Sequence, residues 1–283
     1  MNYSDNKPTV KRTIYNILRY QLLDRHYYGL TAKLRPLPDL IIIGAKRCGT
    51  TSLYQYLGEH PCISRSTKDN VGFFNNNFEL GLDYYRSFFP VKPRNKCKKH
   101  ITFEVTTSYI QESKTAKRIF KTLPKVKLLA MVRNPVDRAY SEYNLEENRQ
   151  RFEDVVFEEM EKIGQEDKAL SEGEAVELFS REKYHLLRKS MYYQQLVPWL
   201  QLFPRDQIMI LSVEDFDKKT QDTYDRIFNF IGVEKYEIRK SEKINKGKYS
   251  KMDDKTRQIL LDYFRPHNDK FFQLIGEKFE WDS

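Results

Sequence analysis

A short segment bracketed by two glycines carries residues whose types suit anion binding. Residues 44 to 52 read Gly-Ala-Lys-Arg-Cys-Gly-Thr-Thr-Ser, directly after an apolar run. Glycines let backbone N–H groups approach an anion, basic side chains add charge, and hydroxyl residues in the first turn of a helix add its dipole. We therefore predict a phosphate-binding loop made of Lys46, Arg47, Cys48, Gly49, Thr50, Thr51 and Ser52.

The loop departs from the nucleoside-triphosphate pattern G-x-x-x-x-G-K-[ST]. Thr50 occupies the position of the lysine that follows the second glycine, and the lysine lies inside the loop at Lys46. A kinase that uses ATP is one alternative, disfavoured by this departure and by the lack of an acidic magnesium motif after an apolar strand. A tight strand-to-helix turn with solvated basic residues is the alternative without anion binding.

Two further segments could bind phosphate. Arg133 follows an apolar run, Pro135 begins the next helical pattern, and Ser141 lies one helical stretch later. The planar fork of arginine suits phosphate oxygens and serine adds a neutral donor, so the two side chains can converge on one phosphate. The third segment is a basic glycine loop made of Lys246, Gly247 and Lys248.

The elements that must position these groups alternate along the chain. Apolar runs predict buried strands at Leu40–Gly44, Ile101–Val105, Val126–Val132 and Ile208–Val213. Helical patterns lie at Thr51–Glu59, Val136–Glu147 and Thr220–Ile231, and residues 151–188 form a highly charged segment predicted to be helical. This alternation predicts an α/β fold with a central parallel sheet flanked by helices, of the P-loop-containing nucleotide-binding type, with ligands at the carboxyl ends of the strands.

Length and composition favour one domain. The 283 residues are 40% hydrophobic, which suffices for one sizeable core. We predict a basic helical extension over residues 1–37 and the main domain over 38–283. The net charge of +9 favours an anionic partner, and a non-enzymatic basic domain that binds an anionic polymer is the second alternative.

The cysteines and the N-terminal segment bear on location. Three cysteines, Cys48, Cys62 and Cys97, are few and odd in number, which favours neither a disulfide framework nor a zinc site and predicts a reducing, cytoplasmic compartment. No signal-peptide core and no run of 18 apolar residues is visible. Ile14, Ile17, Leu18 and Leu22 share one helical face, which either contacts a membrane surface peripherally or docks on the domain. The oligomeric state stays open.

With the three anion segments in this order, the chain resembles the sulfotransferases that use 3′-phosphoadenosine 5′-phosphosulfate. The resemblance is to the carbohydrate branch, which includes the heparan sulfate O- and N-sulfotransferases and bacterial relatives. It runs from about Pro38 to Trp281. Its further matches are the stretch Tyr192 to Pro204, Val213-Glu214-Asp215-Phe216, Phe264-Arg265-Pro266-His267-Asn268, Gly276 and Trp281.

The resemblance implies a donor bound at two ends. The first loop would bind the 5′-phosphosulfate, with Lys46 at the leaving oxygen, and Arg133 with Ser141 would bind the 3′-phosphate. The loop of Lys246, Gly247 and Lys248 would close over the nucleotide. The product would be adenosine 3′,5′-bisphosphate, with no metal required. The implied acceptor is a carbohydrate or glycolipid, anionic acceptors included, sulfated on a hydroxyl with an amine as the alternative, and no nucleic acid partner is implied.

The general base is the point where the chain departs from the family pattern. Relatives use a glutamate in K-E-x-x-F-F, and the corresponding segment here is Lys68-Asp69-Asn70-Val71-Gly72-Phe73-Phe74. The acid is an aspartate, and one extra residue precedes the phenylalanine pair. Asp69 is the base if the loop absorbs the insertion, whereas Asn70 takes its place if the register is held from Phe73. Glu104 is the second candidate, in Phe103-Glu104-Val105-Thr106-Thr107, which resembles E-K-[ST]-P with valine for lysine and threonine for proline.

Overall fold

The structure is a computed structural model that describes residues 30–91, 93, 97–145, 150–171, 186–238 and 249–281. The predicted N-terminal helical face and the loop of Lys246, Gly247 and Lys248 lie outside these residues. The extension over residues 1–37 and the boundary at residue 38 therefore stay predictions.

Five parallel strands form the sheet of the described chain. In chain order they are β1 (Leu40–Gly44), β2 (Ile63–Arg65), β3 (Ile101–Val105), β4 (Lys127–Val132) and β5 (Ile208–Ser212). Their order across the sheet is β2-β3-β1-β4-β5, and every neighbouring pair is parallel. This architecture confirms the predicted fold class. β2 was not predicted, because three residues are too short to show a hydrophobic period.

Helices connect the strands and cover the sheet. They are α1 (Thr50–Leu57), α2 (Phe73–Asn76), α3 (Gly81–Arg86), α4 (Ser113–Thr122), α5 (Pro135–Tyr143), α6 (Phe152–Ser171), α7 (Tyr192–Leu202), α8 (Val213–Lys218), α9 (Thr220–Ile231) and α10 (Asp254–Ile275). α9 has the predicted bounds, α1 begins one residue earlier than predicted, and α6 lies in the segment predicted to be a helical excursion. Val213 begins α8 instead of ending β5, because the Ser212 side chain accepts a hydrogen bond from Asp215 N and caps the helix.

The core lies on both faces of the sheet. Every residue of β1 and β3 is buried, which is typical of parallel strands covered by helices on either side. A second buried cluster joins α5 and α6 to α10 through residues that include Val136, Val156 and Leu260. No helix in the described ranges combines the length and apolar composition needed to cross a bilayer.

The carboxyl ends of β1, β3 and β4 meet at one edge of the sheet. β1 lies between β3 and β4, and Ala45 N, just past β1, donates to Met131 O in β4 at 2.7 Å. The loop after β1 and the segment that contains Arg133 are therefore neighbours.

The prediction that the cysteines form no disulfide is wrong. Cys62 and Cys97 are bonded, with Cα atoms 5.7 Å apart, while Cys48 is free and buried. The two residues lie just before β2 and β3, which pair in parallel, and Ile101 N donates to Cys62 O at 2.9 Å. A count of cysteines cannot show this proximity, because it arises from strand pairing across 35 residues.

Candidate active site

The loop after β1 depends on a glycine at its start. Gly44 has φ of +153°, and a Cβ there would lie 2.6 Å from Ile110 Cγ2 and 2.9 Å from Thr107 O. Both distances are shorter than van der Waals contact, so a side chain does not fit. At the other end Gly49, with φ of 71°, precedes the first turn of α1. The loop can therefore turn back on itself between β1 and α1.

The Lys46 ammonium lies in a cluster of charges centred on Glu142. Lys46 Nζ is 3.1 Å and Lys189 Nζ 3.5 Å from Glu142 Oε1, while Arg138 Nη1 is 2.7 Å from Oε2. Glu142 and Arg138 are buried, whereas the Lys46 side chain is 49% exposed. Three cations thus share one carboxylate, and the cluster keeps a surplus of positive charge that faces solvent at Lys46.

The surplus of positive charge lowers the pKa of Glu142. Burial alone would raise its pKa, but the charges of Arg138, Lys189 and Lys46 outweigh that effect and lower the pKa to about 2. Glu142 is therefore ionised at any pH near neutrality. It holds the two lysines beside the loop.

Arg47 and Ser141 form a second group of donors next to the first. Arg47 Nε and Nη2 donate to Ser141 Oγ at 3.1 and 3.0 Å. Burial lowers the pKa of Arg47, and the nearby charge of Arg133 adds to that effect. Arg47 and Ser141 are thus in contact, and the charge of Arg133 acts on Arg47, although the sequence predicted Arg47 in the first loop and the other two residues in a separate site.

The backbone of Arg133 is fixed at the end of β4. Tyr192 OH donates to Arg133 O at 2.9 Å. Next to it, Asn134 caps α5, since its side chain accepts from Val136 N at 3.0 Å, and Asn134 N donates to Glu214 Oε1 at 2.9 Å. The Asn-Pro pair and the glutamate of the Val213-Glu214 segment therefore serve to position Arg133.

Cys48 faces the interior of the protein. Its side chain is fully buried, and its Sγ lies 3.7 Å from Tyr192 OH. Burial raises the pKa of the thiol to about 11, so it stays protonated. In α1, Thr50 and Ser52 are also buried, whereas Thr51 is partly exposed.

Asp69 lies in an open cavity. The cavity has a volume of about 500 Å³ and is lined by Tyr54, Gln55, Arg65, Ser66, Thr67 and Asp69. The Asp69 carboxylate is partly exposed, and burial raises its pKa from the usual value. The segment just after it is joined to the edge of β3, because Asn70 N donates to Val105 O at 2.9 Å.

Glu104 is placed differently from Asp69. It is fully buried, and its oxygens accept hydrogen bonds from Tyr85 OH at 2.6 Å, Thr106 Oγ1 at 2.7 Å and Tyr109 OH at 3.3 Å. Burial raises its pKa to about 7. Through Thr106 and Tyr109, which accept from the backbone N–H groups of Gly72 and Phe74 at 3.1 Å each, Glu104 holds the segment that follows Asp69.

Three charged residues of the site, Arg138, Glu142 and Lys189, were not predicted from the sequence. Arg138 and Glu142 are four residues apart on α5, so they share the helix face that also borders Ser141. That spacing is visible in the sequence. Lys189 gives no such signal, since its approach to Glu142 depends on how the short 3₁₀ helix Arg188–Ser190 packs against α5. Within the described residues, no group of histidine, cysteine, aspartate and glutamate side chains is arranged to hold a metal ion.

Comparisons with known proteins identify the family of this chain. A family model described as "Sulfotransferase domain" matches residues 37–272. Among solved structures, the chain is similar to the crystal structure of a sulfotransferase from Alicyclobacillus acidocaldarius, with a TM-score of 0.66 and 24% identity over 86% of this chain and 98% of that chain. At this identity the likeness shows the shared fold.

Several curated eukaryotic proteins are similar to this chain. The membrane-associated sulfotransferase kil1 of Dictyostelium discoideum is 25% identical over 89% of this chain and 68% of its own length. The human bifunctional heparan sulfate N-deacetylase/N-sulfotransferase 3 is 29% identical over 84% of this chain, which spans only 30% of that protein. The mouse heparan sulfate glucosamine 3-O-sulfotransferase 3B1 is 29% identical over 88% of this chain and 66% of its own length. The chain belongs to the sulfotransferase domain family of enzymes.

Proposed function

We propose that this enzyme transfers a sulfuryl group from 3′-phosphoadenosine 5′-phosphosulfate to a hydroxyl of a carbohydrate acceptor. The observation that carries the proposal is the pair of adjacent cationic groups at the strand ends. Lys46 and Lys189 both contact Glu142, while Arg47 contacts Ser141 and experiences the charge of Arg133. A nucleotide with phosphates at both ends of its ribose requires two such groups.

We assign the 5′-phosphosulfate to the loop from Lys46 to Ser52. Its backbone N–H groups and the N-terminus of α1 bind phosphate oxygens, and the surplus charge of the Glu142 cluster stabilises the charge that develops there. We assign the 3′-phosphate to Arg133 and Ser141. Arg47 joins them, because its guanidinium already contacts Ser141. The loop of Lys246, Gly247 and Lys248 is proposed to cover the bound nucleotide.

The reaction is an in-line displacement at sulfur. The acceptor oxygen forms a bond to sulfur while the bond between sulfur and the bridging phosphate oxygen breaks, and adenosine 3′,5′-bisphosphate leaves with that oxygen. Lys46 is the residue that meets the leaving oxygen. Because negative charge builds there in the transition state, an exposed ammonium held by a buried carboxylate is suited to the role.

We propose Asp69 as the base that receives the proton of the acceptor hydroxyl. Its carboxylate opens into the cavity of about 500 Å³, whereas the Glu104 carboxylate is fully buried and accepts three side-chain hydrogen bonds. An acceptor hydroxyl can therefore approach Asp69 and not Glu104. Glu104 acts on the reaction through the loop that it holds.

The cavity beside Asp69 supports a carbohydrate as the acceptor. Its lining is largely polar, and Arg65 is held there by Gln55 Oε1 at 2.5 Å and by the ring of Tyr54, whose centroid is 5.1 Å from its Cζ. A guanidinium at this place suits a carboxylate or sulfate group on an anionic sugar. The names of the relatives, two of which specify heparan sulfate, point to the same class of acceptor.

The domain boundaries and location are also proposals. The sulfotransferase domain is proposed to cover residues 38–283, supported by the family match that begins at residue 37. We propose that residues 1–37 form an extension that contacts a membrane surface. The name of the Dictyostelium relative, which specifies membrane association, supports it.

The test is an acceptor screen with ³⁵S-labelled 3′-phosphoadenosine 5′-phosphosulfate. The panel contains N-sulfated heparosan, fully desulfated heparin with free amines, chondroitin, dextran and a neutral glycolipid, and mass spectrometry locates the sulfate. We expect O-sulfation of an anionic glycan by the wild-type enzyme and none by Lys46→Ala. Transfer to amines alone would contradict the hydroxyl assignment. Loss of transfer to every glycan, with nucleotide binding intact, would contradict the carbohydrate acceptor.

A further inference from the structure

We infer that Asn70 is a positioning residue for the general base: its side-chain amide, held by Thr107, donates a hydrogen bond that fixes the Asp69 carboxylate in the acceptor cavity. The inference rests on the proposed function, in which Asp69 is the base. It concerns the first of the residues that separate Asp69 from the phenylalanine pair, the segment that is one residue longer than in the family pattern.

Hydrogen bonds fix both ends of the Asn70 amide. Its Oδ1 accepts from Thr107 N and from Thr107 Oγ1, each at 3.2 Å, and its Nδ2 donates to Asp69 Oδ1 at 3.0 Å. A backbone N–H can only donate and an ionised carboxylate can only accept. The orientation of the amide therefore follows from its partners. The opposite orientation would place Nδ2 against the N–H of Thr107, where both groups are donors, and Oδ1 against the Asp69 carboxylate, where both are acceptors.

The backbone of Asn70 is also specified. Its φ is +54°, in the left-handed region that asparagine tolerates better than most residues with a side chain. Its N–H donates to Val105 O at 2.9 Å. Asn70 is thus attached to the end of β3 by its main chain and to Thr107 by its side chain. The amide that donates to Asp69 is therefore held in place by β3 and Thr107.

The structure connects two departures from the family pattern through the contact between Asn70 and Thr107. The pattern K-E-x-x-F-F lacks the extra residue, and the pattern E-K-[ST]-P has proline where this chain has Thr107. A proline offers neither the N–H nor the hydroxyl that holds Asn70 Oδ1. Asn70 and Thr107 therefore depend on each other.

The hydrogen bond gives the two oxygens of Asp69 different roles. Oδ1 accepts from Asn70, which leaves Oδ2 to receive the proton of the acceptor hydroxyl as the new oxygen–sulfur bond forms. Donation to the carboxylate favours its ionised form, the form that acts as a base. The titratable and charged groups that share the cavity with Asp69 are Tyr54 from α1 and Arg65 from β2. Neither contacts Asp69 Oδ1 as Asn70 does.

The central variant is Asn70→Gly, because glycine keeps the positive φ and the backbone N–H and removes only the amide. Asn70→Asp keeps the contact with Thr107 and places a negative charge where the donor was. Thr107→Ser, which retains the N–H and the hydroxyl, is the conservative control. All variants are full-length chains saturated with adenosine 3′,5′-bisphosphate.

The first readout is the carboxyl ¹³C titration of Asp69 by NMR, with its resonance assigned by comparison with Asp69→Asn. We expect the pKa of Asp69 to rise in Asn70→Gly, to rise further in Asn70→Asp, and to stay at the wild-type value in Thr107→Ser. An unchanged pKa in Asn70→Gly would overturn the inference. If the glycine variant does not fold, Asn70→Ala, which also removes the amide, takes its place.

The second readout is turnover with N-sulfated heparosan as acceptor. We expect kcat of Asn70→Gly to fall about tenfold with an unchanged KM for the donor, and the acidic limb of its pH–rate profile to move to higher pH. A wild-type kcat and profile in Asn70→Gly, alongside an inactive Asp69→Asn, would refute the positioning role and leave the proposed function standing. Absence of turnover in the wild-type enzyme would instead refute that function, and the titration would still decide whether Asn70 fixes Asp69.

Discussion

At the scale of single residues, the candidate site contains more cationic side chains than carboxylates. Glu142 balances the buried Arg138, which leaves the charges of Lys46 and Lys189 uncompensated next to Arg47 and its partner Ser141. Such an excess in a partly buried site attracts an anion and raises its affinity. This excess of charge supports the proposal of a doubly phosphorylated donor.

Asp69 gives a prediction that separates catalysis from donor binding. Asp69→Asn removes the base without changing the size of the side chain, so we expect kcat to fall about 10²- to 10⁴-fold. The Kd for adenosine 3′,5′-bisphosphate, measured by calorimetry, should stay at the wild-type value. Asp154→Asn, on the exposed face of α6, is the matched control and should retain full activity. A fully active Asp69→Asn would contradict the assignment of the base.

The sequence located part of this site at the residue level. Lys46 and Ser141 were found because glycine spacing and strand ends mark positions at the edge of a parallel sheet. The contact of Arg47 with Ser141 and the place of Lys189 were not found, because side-chain contacts across 94 and 47 residues have no local signal.

At the scale of elements, the loop between β1 and α1 is fixed by what packs against it. Gly44 lies against Ile110 and the backbone of Thr107, and Ala45 N bonds to β4. On the neighbouring strand β3, Glu104 holds the segment that follows Asp69 through Thr106 and Tyr109. The loop after β1 and the loop that contains Asp69 are therefore supported by adjacent strands.

Gly44 provides a test of that packing. Gly44→Ala places a Cβ against a side chain and a backbone oxygen at positive φ, so we expect a loss of about 2 to 4 kcal/mol in the free energy of unfolding. Gly81→Ala is the matched control, since Gly81 also has positive φ but nothing lies within 4 Å of its Cβ position. It should lose only about 1 kcal/mol. Equal losses in urea titrations of the two variants would show that the contact at Gly44 does not matter.

Glu104 predicts a pH dependence of stability. Its pKa of about 7 in the folded chain lies above that of an exposed glutamate, so the folded state holds the proton more tightly than the unfolded state. Its contribution to stability is complete below about pH 4.3 and is lost as the pH rises through 7. We expect the difference in unfolding free energy between wild type and Glu104→Gln to change by about 3 kcal/mol over this window.

Urea titrations at a series of pH values measure this difference. The control is Glu158→Gln on the exposed face of α6, which should follow the wild type at every pH. A difference between wild type and Glu104→Gln that does not vary from pH 4 to pH 8 would contradict the protonation of Glu104.

At the scale of the whole molecule, the hydrophobic pattern of the sequence predicts the parallel sheet better than it predicts a short strand or a disulfide bond. The long apolar runs at β1, β3, β4 and β5 predicted a parallel sheet, because buried strands separated by helices leave few other arrangements. β2 and the disulfide at its start were missed. Neither has a periodic signal, and both depend on β2 pairing with β3.

The disulfide changes the expected compartment and stability. Disulfides persist in oxidising compartments, so we propose such a compartment in place of the cytoplasm predicted from the cysteine count. Because the bond closes a loop of 35 residues, Cys62→Ser with Cys97→Ser should lower the free energy of unfolding by about 2 to 4 kcal/mol. Dithiothreitol should destabilise the wild type by a similar amount and leave the double variant unchanged. A wild-type stability that dithiothreitol does not alter would contradict the bond.

The central claim, a donor bound through both its 5′ and 3′ groups, is tested most directly by calorimetric titration of the wild type and Ser141→Ala with adenosine 3′,5′-bisphosphate, AMP, and ATP plus magnesium. We predict that the wild type binds the bisphosphate more tightly than AMP or ATP. Ser141→Ala should weaken bisphosphate binding about tenfold and leave AMP binding unchanged, since Ser141 meets only the 3′-phosphate. Tighter binding of ATP, or equal affinities for the bisphosphate and AMP, would contradict the claim.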